Sequence, residues 1–450
     1  ELGSVHKEKL SRTREALLAL GRVLVIRPSH REALLAVEDY LRDDEAEVRR
    51  VASELAEPVY EIHGRWTDLI SSLEIQISTT SDPEGHATRH EEIARVYLEE
   101  LGMPEESFRH YGEVLKIHPD DENARAKLDT LADALGSWGK LIELYDGILP
   151  ETGEGDAPLR LDYLFTMARI YADHVAEPYK ARECYYKILD AQPDSTRALD
   201  ELEALYERAE LWRDMLDVYE RRLALAEGDE TRVRELRFSL AALWNDRLGE
   251  AQEAIDVLKQ NLEAHPEDVA AMQELDFLYG DEGMWDELEG NLRRQLELAS
   301  ESEQGALKIR LGEVHEQHLG HVEVAVDLYE EVLADEPESE PAVGALERVM
   351  QTSEFGEQSE RASNILEPWY TERMQWEELV RALEVQVEHA LEPEQKVALL
   401  HRVAKLWEEN LAEPIEALSV YARALAHDID NEHTSKNLYR IAEGDRKSVV

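Results

Sequence analysis

Two histidine clusters offer the densest metal-ligating chemistry in this chain of 450 residues. "HATRH" puts His86 and His90 at i and i+4, on one face of a helix. "HEQHLGH" brings His315, His318 and His321 close together. A helical pair of this kind holds a divalent cation only when a third ligand arrives from elsewhere. No Glu/His motif recurs in the neighbouring segments to supply one, and the second cluster straddles a helix end. Both clusters therefore read as surface histidines near helix C-termini, where a cation suits the dipole.

The other chemistry-bearing types are no more specific. Asp and Glu number 100, so no acid–base pair stands out from the background. "DIDNEH" at 428–433 has the flavour of a Ca²⁺ loop but lacks its central Gly and its closing Glu. Cys184, the single cysteine, excludes an intramolecular disulfide and a cysteine zinc site. Its place in "KARECYYKIL" is that of a small buried residue in a helix. There is no Gly-rich phosphate loop and no G-x-S-x-G elbow. "KSVV" at the end resembles a PDZ-domain ligand through Ser448 and Val450, a match with meaning only at a natural terminus. The chain is expected not to be an enzyme, with no catalytic residues, cofactor site or metal site to name.

Composition narrows the partners. The formal net charge is −51, from 100 acids against 49 bases. Like charge disfavours a nucleic-acid backbone or an anionic membrane surface. No apolar run approaches the ~18 residues of a membrane helix. A chain opening on Glu1 with no leader suggests a fragment, with a cytoplasmic placement expected and a periplasmic one left open.

A repeated phrase fixes the elements that carry these residues. Segments led by Trp66, Trp138, Trp212, Trp285 and Trp376 recur at intervals of 72, 74, 73 and 91 residues. In phase with them run Pro28, Pro119, Pro193, Pro266 and Pro337. Each period holds four amphipathic phrases with apolar residues at i, i+3, i+4 and i+7. Over 160–227 these are "RLDYLFTMARIYADH", "EPYKARECYYKILDAQP", "STRALDELEALYERA" and the Trp212 phrase. Pro178 suits a helix start, and Ser195 or Thr196 an N-cap. No strand alternation appears, and connections of two to five residues demand antiparallel neighbours. The Trp at a fixed first-turn position is expected to bridge two helices in the core.

The second phrase of each period resembles helix B of the tetratricopeptide repeat (TPR). Ala181, Tyr185, Ile188 and Pro193 follow its small–aromatic–small–Pro spacing, as do Ala325, Tyr329, Val332 and Pro337 and, with Leu20 for the aromatic, Ala16, Val23 and Pro28. Ala254, Leu258, Asn261 and Pro266 fit less well; Ile429 replaces the Pro in the last copy. The third and fourth phrases drop the motif and read as TPR-like or generic α-solenoid. The resemblance implies an all-α, right-handed superhelical solenoid of stacked antiparallel helix pairs, about 23 helices long. It also implies a protein–protein scaffold working through a concave face, as in very long bacterial TPR proteins. Lys is scarce and no Lys/Arg/Asn set recurs, so the carboxylate clamp of chaperone-binding members is not expected; basic or amphipathic segments suit the acidic surface better.

A longer period lies above the first. Residues 51–77 align without gaps to 361–387, with ten of 27 positions identical. The two 91-residue intervals, between the first two Pro and the last two Trp, each contain this segment and so hold an extra helix, near 46–62 and 357–373. The expected organisation is one continuous solenoid over 1–450, a window of a longer array. Its rungs fall at about 1–78, 79–152, 153–228, 229–301, 302–391 and 392–450, with a change of curvature or a longer connection at each extra helix. Rival readings are a structural spacer that stacks end to end, and an auxiliary module of an enzyme or signalling protein lying outside this window.

Overall fold

The computed structural model describes residues 2–149 and 157–448. It is all-α, with 24 α-helices and no strand among the described residues. The chain divides into two compact units, Glu1–Leu225 and Ala226–Val450.

In the first unit the helices are α1 (Leu2–Ile26), α2 (Arg31–Tyr40), α3 (Ala46–Ile62), α4 (Trp66–Thr79), α5 (Pro83–Glu99), α6 (Pro104–Ile117), α7 (Glu122–Leu135), α8 (Trp138–Ile148), α9 (Ala157–Ile170), α10 (Pro178–Ala191), α11 (Thr196–Arg208) and α12 (Trp212–Leu225). In the second they are α13 (Glu230–Ala242), α14 (Ala251–Ala264), α15 (Val269–Asp281), α16 (Trp285–Leu298), α17 (Glu301–Val314), α18 (Val322–Asp335), α19 (Glu340–Gln351), α20 (Glu357–Glu372), α21 (Trp376–His389), α22 (Pro393–Lys405), α23 (Pro414–His427) and α24 (Glu432–Ser448). Within each unit, helices adjacent in the chain pack on one another. α3 also packs on α1, and α20 on α18, so each joins a group of three helices.

The helices start and stop where the sequence chemistry directs. Asp82, Asp121, Ser195, Asp229 and Asp268 are N-caps whose side chains accept from the amide three residues on. Pro83, Pro104, Pro178, Pro393 and Pro414 open helices, where the missing N–H is not needed. α10 shows the buried stripe: Ala181, Cys184, Tyr185, Ile188 and Leu189 are all buried, at i, i+3, i+4, i+7 and i+8.

Two backbone devices recur along the chain. The residue two before each Trp, namely Gly64, Gly136, Glu210, Gly283 and Met374, is left-handed. The amide after it bonds back five residues, to Tyr60, Ala132, Tyr206, Tyr279 and Tyr370 in turn, ending one helix and aiming the next. The first helix of the later rungs ends in a π turn at Tyr171–Val175, Leu243–Leu248, His315–Leu319 and Leu406–Asn410. There an amide bonds back six residues, Glu177 to Tyr171 and His321 to His315 for example, both at 2.9 Å. Met103 to Tyr97 repeats that bond at the end of α5. The left-handed residue at this junction is Gly102, Ala176, Gly249, Gly320 or Ala412.

Candidate functional site

The five repeated Trp sit at the first position of α4, α8, α12, α16 and α21, and all are half-buried. Trp66, Trp285 and Trp376 pack against the buried cores as expected, at their edge and half-exposed. Two of the five rings lie against the end of the next rung's first helix. Trp138 stacks on His174 with centroids 3.9 Å apart, and Trp285 on His318 at 3.5 Å and 8°. His174 and His318 occupy the same place in their π turns.

Nine residues before each Trp stands an acid: Glu57, Asp129, Glu203, Asp276 and Glu367. Each takes a hydrogen bond from the Trp-led helix that follows, and the donor alternates between two positions. Where the seventh residue after Trp is Tyr, it donates: Tyr145 to Asp129 at 3.2 Å and Tyr219 to Glu203 at 3.1 Å. Where that residue is Leu73, Leu292 or Leu383, a Gln three further on donates instead. Gln76 reaches Glu57 at 2.7 Å, Gln295 reaches Asp276 at 2.8 Å and Gln386 reaches Glu367 at 2.9 Å. Asp276 is buried and also receives Asn291 at 2.7 Å and Arg310 at 3.1 Å. The same position feels opposite fields. Burial lifts the Asp129 carboxyl above its usual range although Tyr145 pulls it down. At Glu367, burial is outweighed by the Arg402 and Gln386 bonds, which hold the carboxyl low. This acid seam joins helices and offers no open coordination. Its constant offset from Trp was readable in the sequence; the alternating donor was the signal missed.

Of the residues nominated for metal chemistry, His315 and His321 come together, with ring centroids 5.6 Å apart, and the others turn to different partners. His86 turns to Thr80, 3.1 Å from its hydroxyl and 3.0 Å from its carbonyl. His90 has its Nδ1 3.0 Å from Nδ1 of His110, a residue that sequence reading passed over. His110 is buried, stacks on Tyr97, and has its pKa pushed down to about 4 by burial, by His90 and by Arg109. His315 is buried, His318 is committed to the Trp285 stack, and His321 precedes α18. Among the described residues no three His, Cys, Asp or Glu are placed to hold a metal ion. At 428–433 the side chains serve the backbone: Asp428 accepts from the Asp430 amide at 3.2 Å, and Asn431 from the Thr434 amide at 3.0 Å. Cys184 is buried, and burial raises its thiol to about 11, far from a reactive thiolate. Val450 lies outside the described residues, so the PDZ-like ending has no structural counterpart here.

A groove on the second unit combines aromatic, aliphatic and acidic residues. It encloses about 470 Å³ between α13 with its π turn, α14 and α15. Leu258 and Leu278 are buried in its floor, Phe238 and Phe277 line it, and Asp246 and Glu274 are its charged residues. Phe277 is 64% exposed, unusual for so large an apolar side chain.

With this geometry in hand, the tetratricopeptide repeat family model matches residues 198–233, which take in nearly all of α11 and all of α12. The chain is a TPR-like helical repeat. The match falls on the third and fourth helices of a rung, the pair in which the motif reads weakest by eye. The reason lies in packing. Ala198, Leu202 and Tyr206 of α11 are fully buried at four-residue steps, a TPR-like stripe without the terminal Pro. No curated protein matches the chain. Solved structures that align with it include the Naa15/Naa10 complex bound to HypK-THB, at 13% identity and a TM-score of 0.31. That alignment takes in 96% of this chain, which spans 66% of that one. Cut9–Hcn1 aligns at 13% identity over 94% of this chain and 95% of that one, with a TM-score of 0.24. Yeast Tom70 aligns at 10% identity over 90% and 97%, with a TM-score of 0.23.

Proposed function

We propose that the chain is a non-enzymatic scaffold that binds protein partners along its helix pairs, running as one continuous solenoid through its rungs. The observation that supports this most directly is the TPR match on a helix pair whose geometry recurs along the chain. Helix-pair arrays expose long surfaces whose side chains vary while the backbone repeats, and this suits them to recognition. The acidic surface favours basic or amphipathic segments, with no nucleic acid and no membrane insertion. Among the described residues no helix is long and apolar enough to cross a membrane. A cytoplasmic setting fits this reading.

The test is affinity capture from the source lysate with the purified chain as bait, washed at low salt and at about 0.5 M, where surface charge is screened to a few ångströms. A defined partner retained through the high-salt wash supports the scaffold. Partners seen only at low salt, or none, favour a structural spacer.

A further inference from the structure

The groove has a counterpart in the first unit, displaced by 73 residues, whose aromatic and acidic residues are partnered within the chain. Phe238 corresponds to Phe165, Asp246 to Asp173 and Glu274 to Glu201. In the counterpart, each of these has an internal partner. Arg197 lies over Phe165, with its Cζ 4.0 Å from the ring centroid. Arg208 pairs with Asp173 at 2.7 Å. Tyr185 stands beside Glu201, close enough for burial and that carboxylate together to raise its phenol. Arg169 stands on the same face of α9.

The second copy has lost all of these partners. Arg169, Arg197 and Arg208 become Ala242, Ala270 and Asp281, and Tyr185 becomes Leu258. Ala204 becomes the exposed Phe277. The acids stay. Glu274 makes no ion pair or side-chain hydrogen bond among the described residues, and Asp246 meets only its neighbour Asn245, at 2.9 Å. The nearby arginines are engaged elsewhere. Arg234 lies over the Phe238 ring, 4.9 Å from its centroid, and is held by Asp268 at 2.5 and 2.8 Å. Arg237 is bonded to the Gln260 carbonyl at 3.2 Å and to Asn261 at 3.3 Å.

We infer that this groove docks a partner segment carrying an arginine beside an aliphatic residue, and so supplies in trans the cation that the first copy supplies in cis. This rests on the scaffold reading and names the chemistry of its partner. A guanidinium satisfies both halves of the site: its charge and planar donors suit Glu274 and Asp246, and its flat face suits Phe238 or Phe277. The aliphatic residue fills the volume over Leu258 and Leu278. Lysine offers a point charge and stacks less well.

The probe is a fluorescein-labelled heptapeptide with two arginines flanking a leucine, titrated by anisotropy into the full chain. Its lysine and citrulline analogues serve as comparisons, citrulline being the neutral isostere. The expected order is arginine, then lysine, then citrulline, with the last weaker by about tenfold or more, the equivalent of one charge-assisted bond. Ala270→Arg combined with Ala242→Arg restores the internal cations at two exposed positions and is expected to weaken arginine-peptide binding about tenfold. Gln351→Arg, singly and exposed on α19, is the charge control for Ala270→Arg alone and is expected to leave binding within twofold. Glu274→Gln and Phe277→Ala probe the two halves of the site, and thermal melts confirm that each variant folds. Equal loss in Ala270→Arg and Gln351→Arg, equal binding of the citrulline peptide, or no saturable binding overturns the proposal. The titration decides the groove and the lysate capture decides the scaffold. A partner retained at high salt equally by the wild type and the Ala242→Arg, Ala270→Arg variant leaves the scaffold standing without this groove.

Discussion

Ala176 and Ala412 stand at φ 56°, where their counterparts in other rungs are Gly102, Gly249 and Gly320. Glu210 and Met374 stand at φ 54° and 56°, in places where the other rungs have Gly64, Gly136 and Gly283. A Cβ in the left-handed region costs about 1–2 kcal/mol, part of which glycine returns through its extra freedom in the unfolded chain. Replacing any of the four with Gly is therefore expected to stabilise by about 0.5–1 kcal/mol, visible as a rise in Tm. His110 makes a second prediction at this scale. Arg109 Nη2 lies 3.3 Å from its Nε2 and His90 Nδ1 lies 3.0 Å from its Nδ1. The arrangement is satisfied when Arg109 donates to Nε2 and His110 donates onward to His90, with both rings neutral. Glu113 also faces the pair and favours protonation, but burial outweighs it. The folded pKa of about 4 lies below the ordinary 6.5, so the unfolded chain binds the proton first. Stability from this residue is complete above pH 6.5 and is lost as pH falls toward 4. The difference in Tm between wild type and His110→Gln is expected to shrink over that window; a constant difference would count against it.

At the scale of helices, the acid seam should matter more than the surface ion pairs. Asp276 holds Asn291 and Gln295 of α16 and Arg310 of α17. Removing a buried carboxylate that satisfies several donors leaves them unpaired, at about 3 kcal/mol. Asp276→Ala is expected to cost that much in denaturant unfolding. Glu313→Ala, whose Arg348 partner is 45% exposed, should cost under about 1 kcal/mol. The helix-level fold was legible because period 3.6 and the Trp and Pro markers are local signals. Helices occupy Ala46–Ile62 and Glu357–Glu372, and each carries the first part of a matched segment. What the sequence did not disclose were relations between elements. His110 comes from α6 to meet His90 of α5, and nothing in "HATRH" points to it. The half-burial of Trp285 depends on the π turn that carries His318, and a π turn has no periodicity of its own to read. The groove, too, is a relation between elements, since its lining comes from α13 with its π turn, α14 and α15.

Across the whole molecule, two electrostatic effects oppose one another. Many arginines bridge neighbouring helices, such as Arg423 to Glu384 at 2.7 and 2.8 Å and Arg440 to Glu408 at 2.5 and 2.7 Å. Salt weakens such pairs, but each is partly exposed and contributes about 0–1 kcal/mol. Against them stands a net charge of −51. In a helix-pair array each rung's surplus acids lie near those of the next, so repulsion accumulates along the chain, whereas each ion pair acts only locally. Raising ionic strength from about 0.02 to 0.2 M shortens the Debye length from roughly 20 to 7 Å and removes most of the repulsion between rungs while leaving close pairs largely intact. Repulsion is therefore the larger salt-sensitive quantity, and Tm is expected to rise with NaCl over this range. The rise should persist in Arg423→Gln, which deletes one bridge. A fall in Tm with salt would mean that the arginine bridges, acting together, hold the rungs against their own charge.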